Sequence, residues 1–339
     1  MPSITFDRFD GGLMLARPSS VSPSNSLSYM CNMDVQPGGW LRSRAKWRNA
    51  GVTVGPEWKG LESNAGYLWT FAAAPMASAG VTSALVDPID GTRLVFAFVS
   101  TGTGGALDAR GKLFGVSKWQ NGFFAALSSD GVDQHAALFA VNTSTNTATA
   151  TAITDVNCPK TGIAVTLASR VFSVSADGQT VRFSSVGNPL DWTTSGDAGF
   201  LPVSQHFGSG QKAYALGAYQ GKLAVFTDQS IQLWTVDPDP TAMAIDRVVD
   251  GVGTRHHSSI ISLYGDLLFL SESGVRSLTT LSNSLFPSDV DIGLPINRAT
   301  PSPARSERFA NGSNVPSVIA LAAAPWSQYW VSAPEGWRQ

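Results

Sequence analysis

Apolar strands and polar turns recur in one rhythm along the second half of the chain. Ala213–Thr235 (AYALGAYQGKLAVFTDQSIQLWT) reads as strand, tight turn, strand, tight turn, strand, and Ser258–Thr279 (SSIISLYGDLLFLSESGVRSLT) repeats it. Tyr219-Gln220-Gly221 and Tyr264-Gly265-Asp266 fill the first turn, and Asp228-Gln229-Ser230 and Glu272-Ser273-Gly274 the second. Looser copies lie at Ala164–Ser185 and Val318–Arg338. The middle strands begin near Arg170, Lys222, Leu267 and Gln328, about 45 to 60 residues apart. That is the repeat length of a β-propeller blade with insertions. The pattern predicts an all-β chain with a β-propeller-like repeat architecture.

Residues 1–50 stand apart as an N-terminal segment, and 51–339 are assigned to the propeller. In the first segment a Ser/Pro-rich stretch from Arg17 to Ser28 precedes Tyr29–Val35, the turn Gln36-Pro37-Gly38-Gly39 and a strand at Trp40–Arg48. Further on, Tyr67–Ala73 and Arg93–Val99 are strand-like, with Pro88-Ile89-Asp90-Gly91 as a turn between them. Lys112–Leu127 reads as a hairpin on Asn121-Gly122, the strongest short signal for a type I′ turn. The Thr/Ala-rich run within Ala136–Ile153 has the β-branched make-up of an edge strand. No segment holds a helical period over three turns. The last repeat supplies two strands, Val318–Ala322 and Gln328–Ser332, and leaves only Gly336-Trp337-Arg338-Gln339 for a third. An open blade exposes an unpaired edge. We expect the N-terminal strand Trp40–Arg48 to complete that blade and close the ring; the alternative is cover by a neighbouring chain.

Composition narrows the function. Charged residues make up 14% of the 339 positions, against roughly 25% in ordinary globular chains. Solvent-facing positions are therefore filled largely by Ser, Thr, Asn, Gln and Gly, as in β-rich proteins with many turns or with faces covered by neighbours. A net charge of −2 argues against a nucleic-acid clamp, which carries a strong basic excess. The two cysteines, Cys31 and Cys158, form neither a metal spacing nor a disulfide framework. The start MPSITFDRFDGG lacks the features of a signal peptide, and no run approaches the ~18 apolar residues of a membrane span. The expectation is a soluble protein made in the cytoplasm.

Catalytic and metal patterns are thin. Adjacent histidines in a strand point to opposite faces, so His256-His257 is read as a hydrogen-bonded loop pair rather than a metal site. Asp289-Val290-Asp291-Ile292-Gly293 only superficially suggests a calcium loop, since Thr300 stands where the bidentate Glu belongs. Aspartates followed by glycine, such as Asp177-Gly178 and Asp250-Gly251, are explained by turn chemistry. Neither a Gly-x-Ser-x-Gly elbow nor a phosphate cradle is present, and no catalytic residue, cofactor or metal is assigned. The one constellation of interest is the stripe Arg42, Arg44, Lys46 and Arg48, which share a strand face and are flanked by Trp40 and Trp47. Such a stripe is a solvated face, a contact with an acidic neighbour, or a DNA contact. The balance of 23 basic to 25 acidic residues leaves duplex DNA with little hold.

Phe9-Asp10-Gly11-Gly12, followed by Asn32-Met33-Asp34-Val35-Gln36-Pro37-Gly38-Gly39-Trp40-Leu41-Arg42-Ser43-Arg44, resembles the opening of tail hub and nozzle proteins of short-tailed bacteriophages. These include proteins described as packaged-DNA stabilization proteins. Phe183-Ser184-Ser185-Val186-Gly187-Asn188-Pro189-Leu190-Asp191-Trp192 resembles that family's strand followed by Gly-Asn/Asp-Pro-x-x-Trp. Leu223–Trp234, Val249–Gly253 and Leu268–Arg276 then follow in the family's order. The likeness covers roughly residues 1–50 and 165–280, and is poor between them.

The resemblance implies a non-enzymatic virion subunit, assembled in the host cytoplasm as a six-fold homo-oligomeric ring below portal and adaptor. There it would prolong the DNA exit channel, retain the packaged genome and pass double-stranded DNA without sequence preference. Its partners would be the adaptor or head-completion protein and tail fibre or needle proteins, with no membrane insertion. The chain is short for that family, so the tip domain of larger members is expected to be missing. Exposed tryptophans among Trp58, Trp119, Trp192 and Trp326 would be candidates for ring contacts; the alternative for each is a blade core. The rival readings are a carbohydrate-binding propeller (an adhesin or lectin) and a propeller glycosidase, whose two carboxylates would stand several ångströms apart.

Overall fold

The structure, a computed structural model, describes residues 112–128, 134–142, 147–193, 196–208, 210–271 and 274–283, together with isolated strands on either side of that span. Side chains are described for 114–126, 134–140, 151–193, 196–208, 210–271 and 274–283. A short hairpin, β1 (Met33–Val35) and β2 (Leu41–Ser43), comes first. β3 (Trp58–Asn64), β4 (Tyr67–Ala73), β5 (Gly80–Val86) and β6 (Arg93–Val99) form a sheet in the order β3-β4-β6-β5. Four antiparallel meanders follow. The first is β7 (Lys112–Trp119), β8 (Gly122–Ser128), β9 (Gln134–Asn142) and β10 (Thr147–Ile153). The second is β11 (Ala164–Leu167), β12 (Arg170–Val174), β13 (Val181–Phe183) and β14 (Gly199–Leu201). The third is β15 (Ala215–Tyr219), β16 (Lys222–Phe226), β17 (Ser230–Thr235) and β18 (Ile245–Asp250). The fourth is β19 (Ile261–Leu263), β20 (Asp266–Ser271) and β21 (Gly274–Ser277), leading into the short helix α1 (Leu278–Asn283). β22 (Ile319–Ala323), β23 (Gln328–Ala333) and β24 (Gly336–Arg338) make a further antiparallel sheet.

The first strands of these sheets pack side by side in chain order: β3 by β7, β7 by β11, β11 by β15, β15 by β19 and β19 by β22. Consecutive meanders joined along their first strands are the blades of a β-propeller, and the all-β propeller expected from the repeats is the fold. Among the described residues, the third strand of the last sheet is β24, and β2 hydrogen-bonds to β1 rather than to that sheet. Three residues thus form a third strand of that sheet, while residues 44–48 of the strand expected to close the ring lie outside the described residues.

Period two does more here than sort inside from outside. On β16, Leu223 and Val225 enter the core shared with the β11–β14 blade, while Ala224 and Phe226 enter the core shared with the β19–β21 blade. On β12, Phe172 and Val174 face forward and Val171 faces back into a core with Trp119 and Phe124. A strand buried on both faces reads as an unbroken apolar run, which is why the middle strands were legible. The outer strand β18, by contrast, is mostly exposed and charged, which protects its edge.

Two-residue turns join first and second strands at Gln120-Asn121, Ala168-Ser169, Gln220-Gly221 and Tyr264-Gly265. The hairpin expected on Asn121-Gly122 is present but shifted by one residue, with Gly122 opening β8 opposite Trp119. A Cβ on Gly122 would sit 1.7 Å from the Phe139 carbonyl oxygen, so sheet contact rather than turn geometry requires glycine there. A second departure is β5, which intervenes in the chain between β4 and β6 but takes the sheet edge beyond β6, so that β4 and β6 pair in parallel.

Ala168 and Ser169 both sit at positive φ, 49° and 57°, with no glycine to relieve them. A left-handed non-glycine residue costs roughly 1–2 kcal/mol. The double change Ala168→Asn with Ser169→Gly, the preferred type I′ pair, is expected to stabilise the protein by about 1 kcal/mol. A higher urea midpoint at unchanged slope checks it.

Candidate functional site

A polar cluster that joins two blades surrounds Arg170, the first residue of β12, which is fully buried. Its Nη1 donates to the Ser184 carbonyl (3.0 Å) and to the Asp197 carbonyl, and its Nη2 donates to the Pro238 carbonyl (2.6 Å). Its guanidinium lies 5.2 Å from the Phe183 ring centre, and Nη2 stands 3.6 Å from the half-exposed Asp197 carboxylate. Burial lowers the arginine's pKa from its ordinary value while Asp197 pulls it back up. Pro238 lies beyond β17, so one side chain ties two blades together.

Around it folds the loop Ser184–Trp192. Ser185 donates its hydroxyl to Asp191 Oδ2 (2.7 Å), and Asn188 Oδ1 accepts the Leu190 N–H (3.1 Å). The Gly187 N–H reaches the Ser169 carbonyl at 2.7 Å. Hydrogen bonding from Ser185 and from the Val186 N–H holds Asp197 below the usual carboxylate range. The loop ends on Trp192, 1% exposed, whose Nε1 donates to the Pro189 carbonyl (2.8 Å). Its backbone N–H donates to Asp155 Oδ2 (2.9 Å), and Thr193 Oγ1 donates to the same oxygen (2.9 Å). Burial raises the Asp155 pKa, but these hydrogen bonds together with one from Asn157 outweigh it and leave the carboxyl low. The Trp192 ring packs 5.9 Å from Phe124 on β8, within the core that joins the β7–β10 blade to the β11–β14 blade.

Chemically, this arrangement is a lock. The donors of Arg170 that find partners go to backbone carbonyls, and both aspartates accept from the loop itself. Among the described residues no group of three or more His, Cys, Asp or Glu could hold a metal ion. Cys158 is buried, its thiol pushed up to about 12 by burial, with Asp155 adding to the shift. His256 and His257 lie at the 3-10 turn His257–Ser259 and are hydrogen-bonded, as expected of a loop pair.

The residues singled out from sequence are distributed differently. Arg42 lies on β2 in register with Asp34 of β1, while Arg44, Lys46 and Arg48 fall outside the described residues, as does Asp289–Gly293. Trp119 and Trp192 are core residues, 6% and 1% exposed, so neither is available for ring contacts. The side chains of Trp58 and Trp326 lie outside the described set. Sequence reasoning passed over Arg170 and Gln232. The latter is fully buried, donates to the Val203 carbonyl (3.0 Å) and accepts from Trp234 Nε1 (2.9 Å). The available signal was a polar residue inside an apolar middle strand.

No family model matches the chain, and no curated protein matches it. Among solved structures, a protein from Lactobacillus plantarum is similar at 12% identity and a TM-score of 0.38, over 77% of this chain and 81% of that one. A likeness that loose has no bearing on function.

Proposed function

We propose that the chain is a structural, non-enzymatic subunit of a bacteriophage tail. In this reading copies assemble into a ring, six-fold by the resemblance above, that prolongs the DNA exit channel beneath portal and adaptor and retains the genome until ejection. The observation that supports it is the use made of the Gly187-Asn188-Pro189-Leu190-Asp191-Trp192 element. Residues that resemble the tail family act as a joint between blades, and a joint suits a load-bearing subunit. A charged fraction of 14% leaves faces suited to burial against other copies, since permanent interfaces are poor in charge.

Negative-stain electron microscopy and mass photometry of the full chain at micromolar concentration are expected to show closed rings. A monomer overturns the ring, and a monomer that binds or hydrolyses a glycan on screening replaces it with the carbohydrate-binding or glycosidase propeller. Within the ring reading, the basic strand Arg42, Arg44, Lys46 and Arg48 contacts the adaptor, a neighbouring copy or passing DNA. Arg44→Glu is then expected to lower the yield of rings, or of particles that keep their DNA, at least about tenfold, since a like-charge contact at an interface costs several kcal/mol. Unchanged assembly and retention would remove the strand from the proposal.

A further inference from the structure

His257 stands where three blades meet. It opens the 3-10 turn that leads into β19, and its Nδ1 accepts the N–H of Leu216 on β15 at 3.3 Å. The ring is also hydrogen-bonded to the backbone of Ala164 on β11. β11 and β15 are the first strands of their sheets, so each has a strand partner on one side only. The imidazole therefore occupies backbone groups that neither sheet can pair. The same turn packs against β20 and β22. One side chain thus ties the first strands of two blades to the turn that opens a third, and that turn packs against a fourth.

Among the described residues, nothing charged is in place to receive a proton's charge there. β11 (AVTL) and β22 (IALAA) carry no titratable residue, and β15 (ALGAY) carries only Tyr219, whose hydroxyl is 3.1 Å from Thr279 Oγ1. On β20 the single acid is Asp266, which accepts from the Thr279 N–H (2.9 Å), the Leu267 N–H (2.7 Å) and the Ser277 hydroxyl. On the histidine's own segment Arg255 pairs with Asp228 at 2.9 Å, and His256 is buried. Neutral imidazole fits this site because Nδ1 is needed as an acceptor; imidazolium has two donors and no acceptor.

We infer that His257 is an acid-sensitive clasp between blades: a proton on Nδ1 faces the Leu216 N–H donor to donor, and the junction of β11, β15 and the segment entering β19 opens. Burial supports this by pushing the His257 pKa down to about 4, against the hydrogen bonds at Ala164 and Leu216, which both act to raise it. The sign follows from linkage. A histidine titrates near 6.5 once released, so closure is complete above that pH and is lost progressively as pH falls toward the value in the folded chain.

Hydrogen exchange of the Leu216 amide, corrected for intrinsic rate, tests it. Between pH 7.5 and pH 5 the protection of Leu216 in the full chain is expected to fall by up to about thirty-fold, the population ratio set by the two pKa values. His257→Gln retains an acceptor that does not titrate and is expected to keep protection level over that range. Unchanged protection in the natural chain, or an equal loss in His257→Gln, overturns the clasp. Imidazole nitrogen shifts of the natural chain decide the matter independently of any variant. A neutral ring with its proton on Nε2 and a midpoint below 5 supports it, and a midpoint near 6.5 overturns it.

Discussion

Arg170→Met is expected to destabilise the protein by about 2–4 kcal/mol, while Asp197→Asn costs no more than about 1 kcal/mol. The contrast separates two accounts of why an arginine is buried at the start of a middle strand. If the ion pair with Asp197 mattered most, the two changes would cost alike. However, the Asp197 carboxylate is 44% exposed and 3.6 Å away, and a pair open to water contributes little. The carbonyls of Ser184, Asp197 and Pro238 are what the guanidinium satisfies. Removing it strands the buried Ser184 carbonyl, which alone costs about 1–3 kcal/mol. Arg170→Lys should fall between, at about 2 kcal/mol, because an ammonium on a thinner stem cannot fork to three acceptors. Urea unfolding of the four proteins at neutral pH orders them; equal losses for Arg170→Met and Asp197→Asn would return the weight to the ion pair.

The cost of carrying Arg170 is visible in the same place. Its Nε is buried without a partner, as is the Ser173 hydroxyl three positions further along β12 on the opposite face. A well-packed apolar residue avoids such a penalty, so the measured loss on Arg170→Met is a net of lost carbonyl bonds and relieved desolvation. That offset sets the lower end of the range.

How far these features could be read from sequence follows from what kind of atom does the work. The strands that begin at Arg170, Lys222 and Gln328 were placed to the residue, and that near Leu267 to within one, because burial on both faces writes a long apolar run between turn residues. The run read as edge-strand composition within Ala136–Ile153, residues 143–153, contains β10, which is the outer strand of its sheet. β5 went unread because its GVTSALV composition is ordinary and its place beyond β6 depends on a crossover. The locks were harder still. Arg170 acts on carbonyls 14, 27 and 68 residues away, and His257 on an N–H 41 residues back. Backbone groups are the same in every residue, so a side chain that serves them leaves no complementary partner in the sequence. Trp192 was visible through its motif, but the motif does not disclose that Asp155, 37 residues upstream, receives its N–H.

Trp192→Ala should remove about 3–5 kcal/mol, the usual cost of truncating a fully buried tryptophan. That is a large part of the roughly 5–15 kcal/mol by which domains are stable. Trp192→Phe should cost about 1–2 kcal/mol, because a smaller ring still meets Phe124 and the Pro189 carbonyl loses its indole donor. The site of the cavity makes a further outcome specific. It would open in the core between the β7–β10 and β11–β14 blades, where Ile153, Ala164 and Val171 line it, and apolar cavities of this kind take up apolar guests. Added indole should therefore raise the urea midpoint of Trp192→Ala in proportion to its concentration and leave the natural chain unmoved. If Trp192→Ala unfolds like the natural chain, the loop is a surface feature and the joint between blades lies elsewhere. If it is destabilised but indifferent to indole, the core has collapsed onto the gap, and the blades are held by contacts that adjust rather than by a fixed wedge.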